Sequence, residues 1–340
     1  MIVNQKKGEK IKSKYMRIAI VFNPAAGASL FATQNIPEEE FEATLLRTLH
    51  ELTIEAEVYY TTPQDPGEGI ARQLAAESID CVIAVGGDGT IHSVARGLLE
   101  SKSVLGIIPT GTMNNLAYSL GIPENLQAAC AILVHGETRT IDVGSINQQI
   151  FLEVAGVGLE AALFPAAEEV KSRGIFSTLR GALSGLYTLL TFRPPQISVT
   201  FDNEKPRTYR AIQLTVCNTP YYGVHLNIAP GIAMNDGRLD AVLYTNFSKS
   251  EYIRHALSIS QGKRTLSPKI IYRQVKSLRI RANEAIAFHA DGVVLGNTPA
   301  EINVLPGVLK VQVPKKPVPG LVAEEQKVIQ HPIKRRKIHV

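Results

Sequence analysis

With 340 residues, 45% apolar, 20% charged and 6% aromatic, the chain has the balance of an ordinary globular protein and length for about two domains of roughly 150 residues each. No window holds the roughly 18 uninterrupted apolar residues of a membrane span, the lysine-rich start has no apolar core of a secretory signal behind it, and Cys81, Cys130 and Cys217, odd in number and far apart in apolar runs, support neither a disulfide frame nor a zinc site and point to a reducing, cytoplasmic setting. The net charge of +5 does not point to nucleic acid, because residues 1–17 carry six Lys or Arg against Glu9 and residues 310–340 carry eight against Glu324 and Glu325, leaving 22 basic against 28 acidic residues between them.

From Arg17 apolar runs alternate with amphipathic stretches, the pattern of a parallel sheet covered by helices. A strand is predicted over 18–22, running into the small-residue turn Asn23, Pro24, Ala25, Ala26, Gly27. Pro37 with Glu38, Glu39 and Glu40 opens a helix, proline in its first turn and carboxylates against the positive end of its dipole. Phe41, Leu45, Leu49 and Leu52 mark its buried face. A strand over 56–60, a helix over 68–77 and the apolar run 81–85 follow, the last ending in Gly86, Gly87, Asp88, Gly89 and Thr90. Next come a helix over 91–99, a strand over 104–108, the loop Pro109, Thr110, Gly111, Thr112, and helices over 114–120 and 124–134, the second expected to stop at a left-handed Gly136.

After Asp142 short β-branched runs divided by Gly, Pro, Asn and Asp predict a mostly β unit, with strands over 196–201, 211–216, 239–244, 277–282 and 308–313. Helices interrupt it over 161–192, with breaks near Gly174 and Gly181, and over 251–260. The organisation is thus an α/β unit over 15–140, a β-rich unit over 141–314 and basic tails over 1–14 and 315–340, with no internal repeat. Clusters such as Lys334, Arg335, Arg336 and Lys337 suit anionic lipid heads, at about 1 kcal/mol per basic residue near the surface, or phosphate backbones, or plain solvent.

Three glycines around Asp88 at a strand's carboxyl end let the backbone approach a ligand and turn its amides toward it. Phosphate is the natural guest, with Thr90 expected to cap the following helix and the helix dipole adding positive potential. A tight turn with Asp88 as local acceptor explains the same five residues without a ligand. A second loop, Thr110, Gly111 and Thr112 before Asn114 and Asn115, sits at the next strand end, where open parallel sheets bind ligands. Neither the dinucleotide glycine fingerprint nor the lysine-bearing phosphate loop is present.

These residues resemble the diacylglycerol kinase catalytic family, which includes bacterial diacylglycerol and other lipid kinases and sphingosine kinases. The likeness runs from Arg17 to Pro314 and rests on Asn23-Pro24 with Gly27, on Gly86 to Thr90, and on Pro109 through Gly111-Thr112 to Asn114, closing with Leu120, Ile122 and Pro123. Weaker matches are Asp142 with Gly144, the stretch 156–160, Ala229-Pro230, Asp236-Gly237 with Leu239-Asp240, and Asp291-Gly292 followed by Pro299. Order and spacing together are specific, and no single mark is.

The resemblance implies an α/β nucleotide-binding domain with a parallel sheet, of a fold related to NAD kinases, and a β-rich, sandwich-like domain, with ATP phosphate in the cleft between them. The chain's end could return to the first domain, which would leave a boundary near 140 incomplete. By matching position Asn23, Thr62 or its neighbour Thr61, Gly86, Gly87, Asp88, Gly89, Thr90, Gly111, Thr112 and Asn114 would contact ATP. Asp236, with main-chain oxygens near Ala233 and Arg238, matches a magnesium-associated segment, though turn chemistry explains Asp236 and Asp240 equally. Glu160 falls in a stretch matched to the substrate side. Asp88 and Asp291 are the candidate catalytic carboxylates. In the family the Asp-Gly pair is usually followed by a glutamate resembling the general base, and here Val293 stands there. Valine cannot take a proton, so Asp88 or Asp291, or else His289 or Glu160, accepts it, or the chain binds ligand without turnover. A single His289 in an apolar strand also reads as a packed residue. Asn115 stands where the family commonly has aspartate.

The function expected is transfer of the γ-phosphate of ATP, with Mg²⁺, to a lipid hydroxyl such as that of diacylglycerol, by a cytoplasmic protein peripherally bound to anionic membrane. The alternatives are a degenerate nucleotide or lipid binder, and an NAD kinase, which shares the Gly-Gly-Asp-Gly-Thr loop. Nucleic acid is not an expected partner, and homodimerisation is left open. Phe164, Ile175, Phe176, Leu179, Leu183, Leu186 and Leu190, with Lys171, Arg173, Arg180 and Arg193 among them, recur at helical spacing. They suit a helix on an anionic surface, the lining of an acyl pocket, or an ordinary core helix.

Overall fold

The computed structural model describes residues 17–26, 38–164, 175–223, 226–228, 231–260 and 267–315. Both basic tails apart from Lys315, together with Gly27, Pro37 and Ala229-Pro230, lie outside them. Four apolar strands, β1 (Ile18–Phe22), β2 (Glu57–Tyr60), β3 (Cys81–Gly86) and β4 (Val104–Pro109), pair in parallel in the order β2-β1-β3-β4. β1, β3 and β4 are buried at every position, as strands covered on both faces must be. Helices α1 (Glu38–Glu51), α2 (Glu68–Ala76), α3 (Asp88–Leu98), α4 (Asn115–Ser119) and α5 (Leu126–His135) connect and cover them. Phe41, Leu45 and Leu49 of α1 are buried as their spacing predicts, and Asn125 caps α5 by accepting from the Ala128 N–H at 2.9 Å. The chain goes from β1 outward to β2 and then back across to β3, so the sheet changes direction between β1 and β3, where the carboxyl ends open a crevice.

The β-rich part comprises β5 (Glu137–Ile146), β6 (Gln149–Phe151), β7 (Val154–Gly158), β8 (Gln196–Phe201), β9 (Arg207–Cys217), β10 (Tyr221–Tyr222), β11 (Leu226–Asn227), β12 (Leu239–Thr245), β13 (Ile270–Val275), β14 (Ser277–Ala282), β15 (Ala287–Ala290), β16 (Val293–Asn297) and β17 (Ala300–Val313). Its pairings are antiparallel. Helices α6 (Ile175–Thr191) and α7 (Lys249–Ser260) lie within it.

β17 belongs to two cores. Its first half pairs with β14, and Ala300 and Ile302 pack with Phe151, Val199 and Leu278; its second half pairs in parallel with β4, and Leu309, Val311 and Val313 pack with the α/β core. β5 accompanies it throughout, with a register break between Leu305 and Leu309 where the strand passes from one core to the other.

Three local expectations are corrected. Gly136 is extended, not left-handed, at φ −71° and ψ −169°; glycine is needed there because a Cβ would stand 2.4 Å from the Val313 carbonyl oxygen and 2.5 Å from that of Ile132. Gly181 does not break α6, since a lone glycine costs a helix only about 1 kcal/mol. Of the two helical faces, Leu189 and Phe192 pack inward, whereas Leu183, Leu186, Tyr187 and Leu190 are exposed, so the core-helix reading fails for that stripe. The break near Gly174, and Lys171, Arg173 and the side chains of Ile175, Phe176 and Leu179, lie outside the described residues.

Candidate active site

β3 runs straight into α3, and glycine is what permits it. A Cβ on Gly86 would lie 2.5 Å from both Cβ and Oγ1 of Thr90, and one on Gly111 would lie 2.6 Å from the Gly87 Cα. The loops after β3 and β4 therefore touch main chain to main chain. The Thr110 N–H donates to the Gly86 carbonyl at 2.9 Å. Asn114, buried and left-handed at φ 50°, ties them further: its N–H donates to Asp88 Oδ2 (2.9 Å), its Oδ1 accepts from the Gly111 N–H (2.9 Å), and its Nδ2 reaches the Gly111 carbonyl (2.9 Å) and Glu124 Oε1 (3.1 Å).

α3 begins at Asp88, three residues earlier than expected, with Gly87 as its cap. Thr90 does not cap it: the threonine is buried in the first turn, and its Oγ1 accepts from Asn23 Nδ2 at 2.8 Å across the crevice. Asn23, Gly86, Gly87, Asp88, Gly89, Thr90, Gly111, Thr112 and Asn114 thus share one edge of the sheet. Gly89 and Thr112 are exposed, and nothing lies within 4 Å of where a Gly89 Cβ would be, which leaves the amino end of α3 open to an anion. Thr62 is exposed beyond β2, with its Oγ1 accepting from the Asp65 N–H at 3.1 Å. Asp65 in turn holds the start of α2 through the N–H groups of Gly67, Gly69 and Ile70.

Opposite this edge, Asp291 and Gly292 form the tight turn between β15 and β16, at φ 44° and 83°, the left-handed pair that an Asp-Gly hairpin turn requires. The Asp291 carboxylate folds back onto main chain, accepting from the N–H groups of Leu152 (2.7 Å), Glu153 (3.0 Å) and Val154 (2.9 Å), with His92 Nε2 at 3.6 Å. That clamp presents Glu153, itself buried, to Asp88. Burial, with the charges of Asp291 and Asp88 beside it, holds the Glu153 carboxyl well above the usual carboxylate range, while the Asn115 side chain opposes the shift. Burial also raises Asp88, against the N–H groups of Asn114 and Asn115 that lower it. Asp88 Oδ1 is buried with no hydrogen-bond donor. A cavity of about 190 Å³ opens here, lined by Asp88, His92, Arg96, Glu153, Asp291 and Val293. Val293, 59% exposed, brings no titratable group to it.

Glu160 faces a different cavity, of about 290 Å³, whose walls include Leu163, Phe164, Tyr222, Ile228 and Tyr252. Its carboxylate accepts from Tyr252 OH (2.8 Å) and Gln213 Nε2 (3.1 Å), and His289 Nε2 stands 3.4 Å away. His289 is fully buried, its ring against Phe164 at 4.7 Å between centroids, which suits the packed reading. The two cavities approach each other at the hairpin turn, where a Gly292 Cβ would lie 4.0 Å from Phe164.

The Asp236 segment lies elsewhere, at the joint between the cores. Asp142 fixes it, its Oδ2 accepting from the Gly237 N–H (2.7 Å) and its Oδ1 from the Gly307 N–H (2.8 Å). Asp236 is exposed and its Oδ1 takes the Arg238 N–H at 3.0 Å, the turn chemistry expected; Ala233 is exposed beside it. Among the described residues no cluster of three or more His, Cys, Asp or Glu side chains is arranged to hold a metal.

Sequence reasoning missed Glu153. Its signal was a single carboxylate in the otherwise apolar run 150–157, because charged side chains are almost never fully buried without a partner. His92 and Arg96 were also missed, being spaced along α3 like ordinary surface residues.

Residues 17–146 match the diacylglycerol kinase catalytic domain, and residues 153–313 match the YegS C-terminal NAD kinase beta sandwich-like domain. The chain is 29% identical over 304 residues to a diacylglycerol kinase of Bacillus subtilis, covering 88% of this chain and 97% of that one. It is 25% identical over 313 residues to a diacylglycerol kinase of Staphylococcus haemolyticus, covering 91% and 92%. In fold it is similar to a crystal structure of a diacylglycerol kinase from Bacillus anthracis, with a TM-score of 0.69 at 22% identity over 92% of this chain and 100% of that one. Arrangement of elements, matched domains and relatives agree, and over residues 17–313 the chain is similar to the diacylglycerol kinases.

Proposed function

We propose that the chain transfers the γ-phosphate of ATP to the hydroxyl of a lipid of the diacylglycerol kind. The observation that carries this is the contact of two glycine loops, at Gly87 and Gly111, at the carboxyl ends of β3 and β4, with the start of α3 facing the carboxylates of the β-rich part across one cavity. Phosphoryl transfer asks mainly for positioning and charge neutralisation. The amides of 86–90 and the 111–114 loop hold the phosphates; Asn23 braces the first turn of α3; Thr62 borders the nucleotide side. Asp88 and Asp291 shape the reacting end, the second as a clamp on 152–154.

The donors around Asp236 are all oxygen, and one oxygen of neighbouring Asp240, Oδ2, is buried without a donor, which fits a hard cation such as magnesium. Asp236 and the main-chain oxygens of Ala233 and Arg238 would hold it. When bound, the ion would supply positive charge to offset the Asp236 and Asp240 carboxylates.

The apolar cavity beside Glu160 has the room and walls for an acyl chain, and the exposed stripe Leu183, Leu186, Tyr187 and Leu190 suits the apolar side of a membrane. With the basic tails, this supports a cytoplasmic protein seated peripherally on anionic lipid. Among the described residues no helix is long and apolar enough to cross a membrane. A second reading, binding without turnover, is favoured by Val293 alone.

The test is lipid-dependent transfer of label from γ-labelled ATP, with magnesium and diacylglycerol vesicles, by wild type and Asp88→Ala side by side. Labelled lipid from wild type only is the expected result. No transfer above Asp88→Ala across a broad lipid panel, with ATP still bound, overturns the kinase in favour of the binder.

A further inference from the structure

We infer that Glu153 is the general base of the transfer, taking the proton of the lipid hydroxyl in the cavity that Val293 leaves without a base of its own. The inference rests on the kinase reading above. A hydroxyl attacking a phosphate held at the start of α3 needs an acceptor in the cavity of about 190 Å³, and the side chains there that could serve are Asp88, His92, Glu153 and Asp291. Asp291 is spent on three main-chain N–H groups. Asp88 is committed through Oδ2 to the Asn114 N–H and stands at the start of α3, on the phosphate side of the cavity. His92 Nε2 lies 3.3 Å from the Ile150 carbonyl oxygen, which fixes that nitrogen as donor. Glu153 is held by its own backbone, through Asp291 and through the Asn218 N–H on its carbonyl (2.8 Å), which leaves its carboxyl toward the cavity, with the Asn115 side chain beside it. Asn115, standing where the resemblance leads one to expect a carboxylate, gives Glu153 a donor instead of a further negative charge.

In the transfer, the hydroxyl oxygen forms its bond to the γ-phosphorus as its proton passes to the Glu153 carboxylate. The bond from that phosphorus to the bridging oxygen breaks, and ADP leaves with the electron pair. The proton goes to solvent after the phosphorylated lipid departs. Glu153 must enter as carboxylate, and the groups facing it are Asp88, His92 and Arg96 of α3, Asn115 of α4, Asp291 of the hairpin turn and Tyr222 of β10. Asp88 and Asp291 together oppose its ionisation, so the rate is expected to climb with pH through a range above the ordinary glutamate value of about 4.3.

The experiment compares wild type, Glu153→Gln, Val293→Glu and the double variant with magnesium, ATP and diacylglycerol vesicles, over a range of pH. Glu153→Gln should lower kcat by about 10²–10⁴-fold with the KM for ATP little changed. Adding Val293→Glu to it should restore kcat at least tenfold and move the acid limb to lower pH, because position 293 is exposed; a merely structural Glu153 would not be rescued this way. A Glu153→Gln enzyme within threefold of wild-type kcat overturns the inference. Should that variant not fold, an acid limb of wild type at the ordinary glutamate value overturns it equally. Transfer by Val293→Glu but not by wild type removes Glu153 as base and keeps the kinase site, whereas transfer by neither removes the kinase reading itself.

Discussion

Gly111→Ala and Gly89→Ala place the same methyl group in two loops of one site, with opposite expected effects. At Gly111 the added carbon would stand 2.6 Å from the Gly87 Cα and 2.9 Å from Asn114 Oδ1, where ordinary contact begins near 3.4 Å. The first of these neighbours is main chain and cannot rotate away, so the loops must part by roughly 0.8 Å, an overpacking that costs about 1–3 kcal/mol. Their separation breaks the bond from the Asn114 N–H to Asp88, and the added carbon's crowding of Asn114 Oδ1 disturbs the one from the Gly111 N–H. The melting temperature should fall by about 2–4 °C for each kcal/mol, taking the scaling of a domain of 150–250 residues. A shift of that size at the phosphate site should lower kcat/KM for ATP by about 10²-fold. At Gly89 nothing lies within 4 Å, and alanine inside a helix is favoured over glycine by up to about 1 kcal/mol. Gly89→Ala should therefore melt no lower than wild type, yet raise the KM for ATP, because the methyl stands where phosphate must approach the α3 amides. Thermal melts and initial rates at varied ATP read both effects. The reasoning fails if Gly111→Ala melts and turns over as wild type does, or if Gly89→Ala is destabilised as much as Gly111→Ala.

Glu153→Gln also has a stability signature. Because the folded value of Glu153 is raised, the native state binds more protons than the unfolded one, so stability is greatest below the unfolded value of about 4.3 and declines as pH rises through the folded value. Melts of wild type and Glu153→Gln should converge near pH 4 and separate toward pH 8 in favour of the variant; a constant gap would refute this. Gly144→Ala would set its Cβ 2.1 Å from Cζ of Phe151, a ring with no exposed surface; it should lower the melting temperature more than Gly111→Ala does, as circular dichroism would register. Leu186→Glu with Leu190→Glu changes exposed positions only, so the fold should keep its stability to within about 0.5 kcal/mol while sedimentation with anionic vesicles falls severalfold; undiminished sedimentation would clear α6 of any membrane role.

The α/β half was legible because its strands are buried on both faces and its helices carry clean stripes, so period and burial coincide. What the sequence could not reveal there was contact between loops. Gly86, Gly111 and Gly136 look alike as letters, but each is required by a different neighbour, Thr90, Gly87 and Val313, the last of which is 177 positions away. The stripe in α6 was legible as a stripe but not as exposed or buried, since periodicity says only that one face differs from the other. Glu153 was hidden by distance of the same kind: its partners Asp88 and Asp291 come from the two ends of the chain. The Asp-Gly pair was read for its carboxylate alone, whereas its left-handed turn is what brings that carboxylate onto 152–154.

The path of β17 explains how residues so far apart can keep a fixed geometry. Were the two cores joined only through the connection after α5, the cleft could open by rotation about a single strand. Instead β5 and β17 cross the joint side by side in opposite directions, paired on both sides of the register break. Asp142 straps the crossing by holding Gly307 of β17 and Gly237 of the neighbouring turn with its two oxygens. Asn218 extends the strap toward the cleft, its Nδ2 donating to the carbonyls of Asp142 (3.0 Å) and Leu152 (2.8 Å), one residue before Glu153. Asn218→Ala would leave both carbonyls without that donor in a buried site, at about 1–3 kcal/mol, and would free the segment that carries Glu153. Its expected mark is therefore a loss of kcat larger than the loss of ATP affinity, together with faster amide exchange over 151–154. Equal losses in kcat and affinity, with exchange unchanged, would mean that Asn218 stabilises the joint without positioning the carboxylate.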